Sequence, residues 1–215
     1  MQTRSTTKAK SKNSSYKKGD RYMGELKNGR KYGFGTYYKK NGDRIVGEWL
    51  HNKCNGTIYT KNYIYTGSIK NNVPHGKGIL STPNYKFIGV WNKGKKYGWF
   101  TQKIIRDDTS EFQHICYYYN DNKEGVEKIM KNNQMCEEIE LKNGEQDGMI
   151  TYYRSDGFFF GIARKYCFTN MITYIFKNGN KIVGYYRNGK LCQYGKLYDK
   201  DGKFIKKVIN NDWFK

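Results

Sequence analysis

No run of this sequence approaches the length of a membrane span. Its opening, MQTRSTTKAKSKNSSYKK, has no apolar stretch and so is not a secretory signal. The 5 cysteines, Cys54, Cys116, Cys136, Cys167 and Cys192, are odd in number and never spaced C-x-x-C. That argues against a disulfide framework or a zinc site and for free thiols in a reducing, cytoplasmic setting. His51, His75 and His114 are scattered, with no H-E-x-x-H and no Cys/His cluster at metal spacing. No acid, base and nucleophile stand together, so no enzyme, cofactor or small-molecule substrate is expected. Acidic residues are scarce as well: Asp plus Glu is 19 against 40 Lys plus Arg, a net charge of +21. Such a charge favours polyanions, whether nucleic acid, acidic lipid headgroups or acidic proteins.

Aromatic residues are abundant. Hydrophobic residues are only 37% of the chain, yet 17% of it is Phe, Trp or Tyr, with 21 tyrosines. Disordered chains lack aromatics, so this one folds. Its apolar surface is spread thinly, which predicts a shallow sheet in place of a deep core.

The glycines explain how. In YMGELKNGRKYGFGTYY, beginning at Tyr22, an alternating triplet Tyr22, Gly24, Leu26 is followed seven residues later by Gly33. Ile45, Gly47 and Trp49 lead likewise to Gly56; Tyr65, Gly67 and Ile69 to Gly76; Phe87, Gly89 and Trp91 to Gly98. The pattern continues in worn form: His114, Cys116 and Tyr118 lead to Gly125, and Glu137, Ile139 and Leu141 to Gly148. Phe159, Gly161 and Ala163 lead to Asn170, and Ile182, Gly184 and Tyr186 to Gln193. Eight units thus follow one another 20 to 23 residues apart, with one longer step of 27 before His114.

Within the seven-residue interval lie turn pairs: Asn28-Gly29, Asn71-Asn72, Lys93-Gly94, Asn120-Asp121, Asn143-Gly144 and Asn188-Gly189. These residues tolerate positive φ, as tight hairpins require. A second set, Asn41-Gly42, Asp156-Gly157, Asn178-Gly179 and Asp201-Gly202, closes units. Between turns the period is two, so each unit is a β-hairpin. One hairpin is marginal in water, but hairpins in series stabilise each other. The expected fold is all-β: an elongated, single-layer antiparallel sheet of about eight stacked β-hairpins, twisted or curved. The column Gly24, Gly47, Gly67, Gly89, Gly161, Gly184 is expected to let a ring from a neighbouring strand lie across bare backbone. No helix follows a glycine run and no G-K-[ST] closes one, which excludes a nucleotide loop.

The first four units resemble the MORN repeat (membrane occupation and recognition nexus), whose pattern is close to Y-x-G-x-W, a turn, then G-x-G. Tyr22-x-Gly24, Ile45-x-Gly47-x-Trp49, Tyr65-x-Gly67 and Phe87-x-Gly89-x-Trp91 carry the likeness, with Gly33-Phe34-Gly35 and Gly76-Lys77-Gly78. Later units resemble a degenerate variant, and Cys116 replaces a glycine. The resemblance implies an extended, curved hairpin stack. It also implies non-catalytic work: scaffolding, dimerisation, tethering, and in some members association with acidic phospholipids.

The expected organisation is a basic arm over 1–20, a repeat array over 21–202 with a lengthened hairpin or joint at 101–113, and a terminal cap, strand or short helix, over 203–215. The arm carries Lys8, Lys10, Lys12, Lys17 and Lys18. Lys27, Arg30 and Lys31 share a turn position with Lys93, Lys95 and Lys96, and stacking would align them as a broken basic ridge. Three functions follow: a scaffold for protein partners, a binder of anionic membrane, and a nucleic-acid-associated protein. Open sheet edges add homo-oligomers to these. Heavy use of Lys, Asn, Ile and Tyr fits an AT-rich coding sequence, as in a protist or a large DNA virus, and the latter adds a virion-associated role to the expectations.

Overall fold

The computed structural model describes residues 19–105, 111–187 and 190–209. Lys8, Lys10, Lys12, Lys17, Lys18 and the Asn188-Gly189 turn lie outside them. The chain divides into two compact units, one running through Pro83 with Trp91–Gly94, the other comprising Asn84–Val90 and the chain from Lys95 onward.

The first unit is an antiparallel meander of β1 (Arg21–Lys27), β2 (Arg30–Tyr38), β3 (Arg44–Leu50), β4 (Lys53–Tyr59), β5 (Ile64–Lys70) and β6 (Val73–Ser81). The strand β7 (Tyr85–Asn92) is shared out between the units. The second unit continues with β8 (Lys95–Ile104), β9 (Phe112–Tyr119), β10 (Asn122–Lys131), β11 (Gln134–Lys142) and β12 (Glu145–Arg154). It ends with β13 (Gly157–Arg164), β14 (Cys167–Phe176), β15 (Lys181–Arg187), β16 (Lys190–Tyr198) and β17 (Phe204–Val208). These pair antiparallel in chain order. The protein is all-β and built of stacked hairpins, and neither meander closes on itself among the described residues.

The turns form because the sequence puts residues that accept left-handed backbone where it reverses. Asn28 and Gly29 have φ of 52° and 72°, Asn71 and Asn72 of 53° and 64°, and Asn143 and Gly144 of 54° and 82°. Positive φ at both central residues gives the twist that matches flanking strands. One closing turn sits a residue earlier than expected. Ser155 and Asp156 make it, and Gly157 already begins β13. The segment 101–113 is a lengthened hairpin: β8 and β9 pair as far as Ile104 and Phe112, with 106–110 outside the described residues. Of 203–215, residues Phe204–Val208 form a strand against β16, and Trp213 lies outside the described residues.

In the first unit one face packs on itself. Gly24, Gly35, Gly47, Gly56, Gly67 and Gly78 are successive register partners and form a glycine row crossing all six strands. To one side lies the row Tyr22, Tyr37, Ile45, Ile58, Tyr65, Leu80; to the other, Trp49, Cys54, Ile69, Pro74. Ile45 and Tyr65 are 0% exposed and Trp49 is 1% exposed, although the meander is a single layer. The rows bury one another by leaning in over the glycines. Tyr22 meets Trp49 edge-on at 5.7 Å, and Tyr65 meets Trp91 edge-on at 5.7 Å, a favourable aromatic geometry.

The register corrects the reading of Gly56. Gly33 and Gly76 have φ of 63° and 87° and sit opposite register shifts, so they make β-bulges. The hairpin of β3 and β4 has no bulge, and there Gly56 falls in the glycine row as the partner of Gly47. In the second unit the corresponding row is Glu127, Ile139, Ile150, Gly161, Ile172, Gly184, Gly195, Val208. Isoleucines and glycines share this row, and flat stacking joins edge-on contact: Tyr152, Phe159 and Tyr174 stack at 4.8 and 6.1 Å.

Candidate functional site

The inward face of the first unit is closed by its own rings. A methyl group on Gly24 would lie 2.6 Å from the Tyr22 hydroxyl, and one on Gly67 would lie 3.0 Å from that of Tyr65. The Tyr65 hydroxyl donates to Ser68 O at 2.9 Å, and Trp49 Nε1 donates to Gly35 O at 3.0 Å. The polar ends of the rings are thereby spent inside the sheet. In the second unit a methyl on Gly89 would lie 2.6 Å from the ring of Phe100 on the next strand, as expected, whereas Tyr22 and Tyr65 belong to the same strands as Gly24 and Gly67 and reach across to Gly35 and Gly78 as well.

Lys31 departs from the expected ridge. It is only 7% exposed and points inward, its Nζ 3.7 Å from the Tyr37 ring centre and 4.2 Å from that of Trp49. Nζ donates to Asn72 Oδ1 at 3.2 Å. Burial pulls its pKa down to about 8, while the nearby Cys54 and Asp20 act to raise it. Burial also pushes the Cys54 thiol up to about 11. Lys96 occupies the equivalent place in the second unit. It is half-buried, with Nζ 4.7 Å from the Phe87 ring and 4.5 Å from Tyr118, and burial lowers its pKa. The physical reason is parity. Lys31 lies two residues before Gly33, and Lys96 two before Gly98, in phase with the inward positions of their strands. Cys54, Pro74, Lys123 and Gln146 share that place before Gly56, Gly76, Gly125 and Gly148.

Lys123 belongs to a buried ionic cluster that the scattered sequence positions gave no sign of. Glu127, 4% exposed, receives Lys123 Nζ and lies 2.9 Å from His114 Nδ1 through the same Oε1. Burial pushes the Glu127 carboxyl up, but the hydrogen bonds from His114 and Lys123 outweigh it and hold the group below the usual carboxylate range. Neighbouring Glu137 is pushed up by burial. Cys116 is 1% exposed, and burial raises its thiol to about 11. A protonated thiol with no surface is not a nucleophile.

The outward face is open. In the first unit a groove of about 610 Å³ is lined by Tyr32, Glu48, Lys53, Asn55, Ser68 and Lys70, among others. Lys53 and Lys70 are direct cross-strand partners, both exposed. Neither makes an ion pair or a side-chain hydrogen bond among the described residues. Like charges set directly opposite are destabilising, and an anion between the two would relieve the repulsion. Of the expected basic residues, Lys27, Arg30 and Lys93 are exposed beside the turns at this same end of the first unit. Lys27 Nζ sits 5.0 Å over the Tyr32 ring. Lys95 is exposed in the second unit. Lys53 and Lys70 are not among the expected basic residues; their signal in the sequence is their place flanking the His51-Asn52 and Asn71-Asn72 turns.

Strand ladders in chain order, paired turns of positive φ and a transverse glycine row define a β-hairpin repeat protein. More narrowly, the family model of the MORN repeat matches residues 22–44 and 65–86. Alsin of Homo sapiens and Alsin of Mus musculus are each 32% identical over 96 residues, covering 38% of this chain. The chain spans about 6% of the length of these curated relatives. Among solved structures, a mutant of the TCP10 domain of Danio rerio CPAP is 15% identical and covers 90% of this chain and 96% of that one, at a TM-score of 0.30.

Proposed function

We propose that this chain is a non-catalytic scaffold that binds protein partners through the outward face of its hairpins, and that the groove of the first unit takes an acidic protein segment. One observation supports this above the others: Lys53 and Lys70 stand opposite each other without an ion-pair partner among the described residues, beside the amide and hydroxyl of Asn55 and Ser68. A carboxylate between them relieves the repulsion, and exposed Leu50 and half-buried Tyr32 offer apolar contact next to it. Glu48 in the same groove selects against densely phosphorylated surfaces, favouring a peptide over a membrane or a nucleic acid. Interfaces of this kind gain rate and specificity from charge.

The test uses the full chain and its Lys53→Glu, Lys70→Glu double variant. Binding of a labelled Glu-rich peptide carrying one leucine is expected to weaken at least tenfold in the double variant. Unchanged affinity refutes the reading. Flotation with phosphatidylserine vesicles and titration with mixed-sequence DNA run alongside. If both polyanions bind more tightly than the peptide at 0.15 M salt and lose binding in the variant, the membrane or nucleic-acid reading replaces this one.

A further inference from the structure

At the closing-turn end of the second unit, cations recur at one place in the repeat. Lys131 closes β10, Arg154 closes β12 and Lys177 follows the last residue of β14, each 23 residues after the one before. Successive hairpins lie two strand spacings apart, about 10 Å. All three side chains are exposed and line one pocket of about 540 Å³, together with Asn132, Gln134 and Ser155. A bulge opens the strand at this place. Ile129 faces Glu137 and Met130 faces Met135, so Cys136, which also lines the pocket, is an extra residue of β11.

The charge of the pocket has one sign, and no carboxylate lines it among the described residues. Acids close by are engaged elsewhere. Asp156 accepts from the Tyr174 hydroxyl at 2.6 Å. That hydrogen bond, with help from Arg154 and Lys177, holds its carboxyl below the usual range. Glu138 accepts from the Tyr153 hydroxyl at 2.9 Å and pairs with Lys128 at 3.2 Å. Asn132 Oδ1 accepts from Glu111 N at 2.9 Å, so its donating Nδ2 is the end left for a ligand. Three cations with amide and hydroxyl donors suit a group of two negative charges and several acceptor oxygens. The planar fork of Arg154 matches a phosphoryl group, and the two lysines add point charges.

We propose that this pocket receives one phosphomonoester group, seated on Arg154 with Lys131 and Lys177 at its flanks and carried by a soluble molecule, either a phosphorylated peptide side chain or a small phosphate ester. A recess suits a discrete group. An anionic bilayer is planar and would press on Asp156 and Asp201, which are exposed in the turns of this same end. The pocket lies wholly in the second unit and does not depend on the partner groove of the first.

Titration calorimetry of the full chain tests it, with a peptide carrying one phosphoserine and with glycerol phosphate as probes. At least one probe is expected to bind tenfold or more tightly than its phosphate-free counterpart, and the tighter of the two names the source. Lys177→Gln is expected to weaken that binding at least fivefold. Lys200→Gln removes the cation at the next repeat place, outside the pocket, and is expected to change it less than twofold. Both lysines are exposed in turns, and unchanged melting temperatures show that the variants are folded. Equal binding with and without phosphate, or equal loss in the two variants, overturns the proposal. So does flotation with phosphatidylinositol phosphate vesicles that is tighter than either probe and lost in Lys177→Gln, which assigns the pocket to a membrane.

Discussion

Lys31 holds its ammonium group among Tyr37, Trp49 and Tyr22 because its place in β2 faces the rings. Cation–π contact and the hydrogen bond to Asn72 compensate for lost water, yet burial still lowers its pKa to about 8 from an ordinary value near 10.5. Between those values the unfolded chain keeps a proton that the folded chain has shed. Stability of the first unit therefore rises with pH from about 8. Cys54 works the other way: its thiol, raised to about 11, keeps a proton that the unfolded chain loses above about 9, which removes the gain. Urea midpoints, followed by amide exchange in β2 and β3, are expected to climb between pH 8 and 9 and then level off. Lys31→Met is expected to abolish the climb, and a flat profile in the unaltered protein contradicts this account.

At the scale of the strand, the decisive fact is how closely β3 and β4 approach. A methyl on Gly47 would lie 2.5 Å from Asn55 O and 2.6 Å from Gly56 Cα, backbone atoms that cannot turn aside as a side chain can. Gly47→Ala is expected to cost about 1–3 kcal/mol, whereas Thr57→Ala on the outward face of β4, which gives up only the hydroxyl contact with Thr66, should cost within about 1 kcal/mol. Chemical denaturation measures both, and equal costs would mean that the glycine row is not a close-packed seam. Strand boundaries and turns were legible here, since period-two alternation and Asn-Gly pairs state them directly. The bulges were not. Gly33 and Gly56 occupy the same place in the repeat, and only the ladder reveals that one kinks its strand while the other joins the row.

For the whole molecule, each strand within a unit touches its sequence neighbours, as in other repeat arrays, so stability is a chain of nearest-neighbour terms and damage stays local. Glu127 tests this. Its carboxyl is held low, so it contributes stability above the unfolded value and loses it as pH falls through the lower folded one. Glu137, raised by burial, contributes in the opposite sense. As pH falls below the usual carboxylate range, amide exchange is expected to accelerate first in β9–β11. Glu127→Gln is expected to remove that acid step and to cost about 1.5–3 kcal/mol at neutral pH. Exchange in β2–β5 should be unaffected, and a uniform response along the chain argues against nearest-neighbour stability.

By itself the sequence determined the hairpin, its turn chemistry, its repetition and the glycine column, because each is a local property written in periods of two and about twenty residues. Tertiary structure alone decided which lysines face inward, which glycines bulge, that Glu127 meets His114 and Lys123, and that Lys53 opposes Lys70. Those outcomes depend on cross-strand register, where a shift of one residue exchanges the two faces of a strand, and register is settled only when neighbouring hairpins pack.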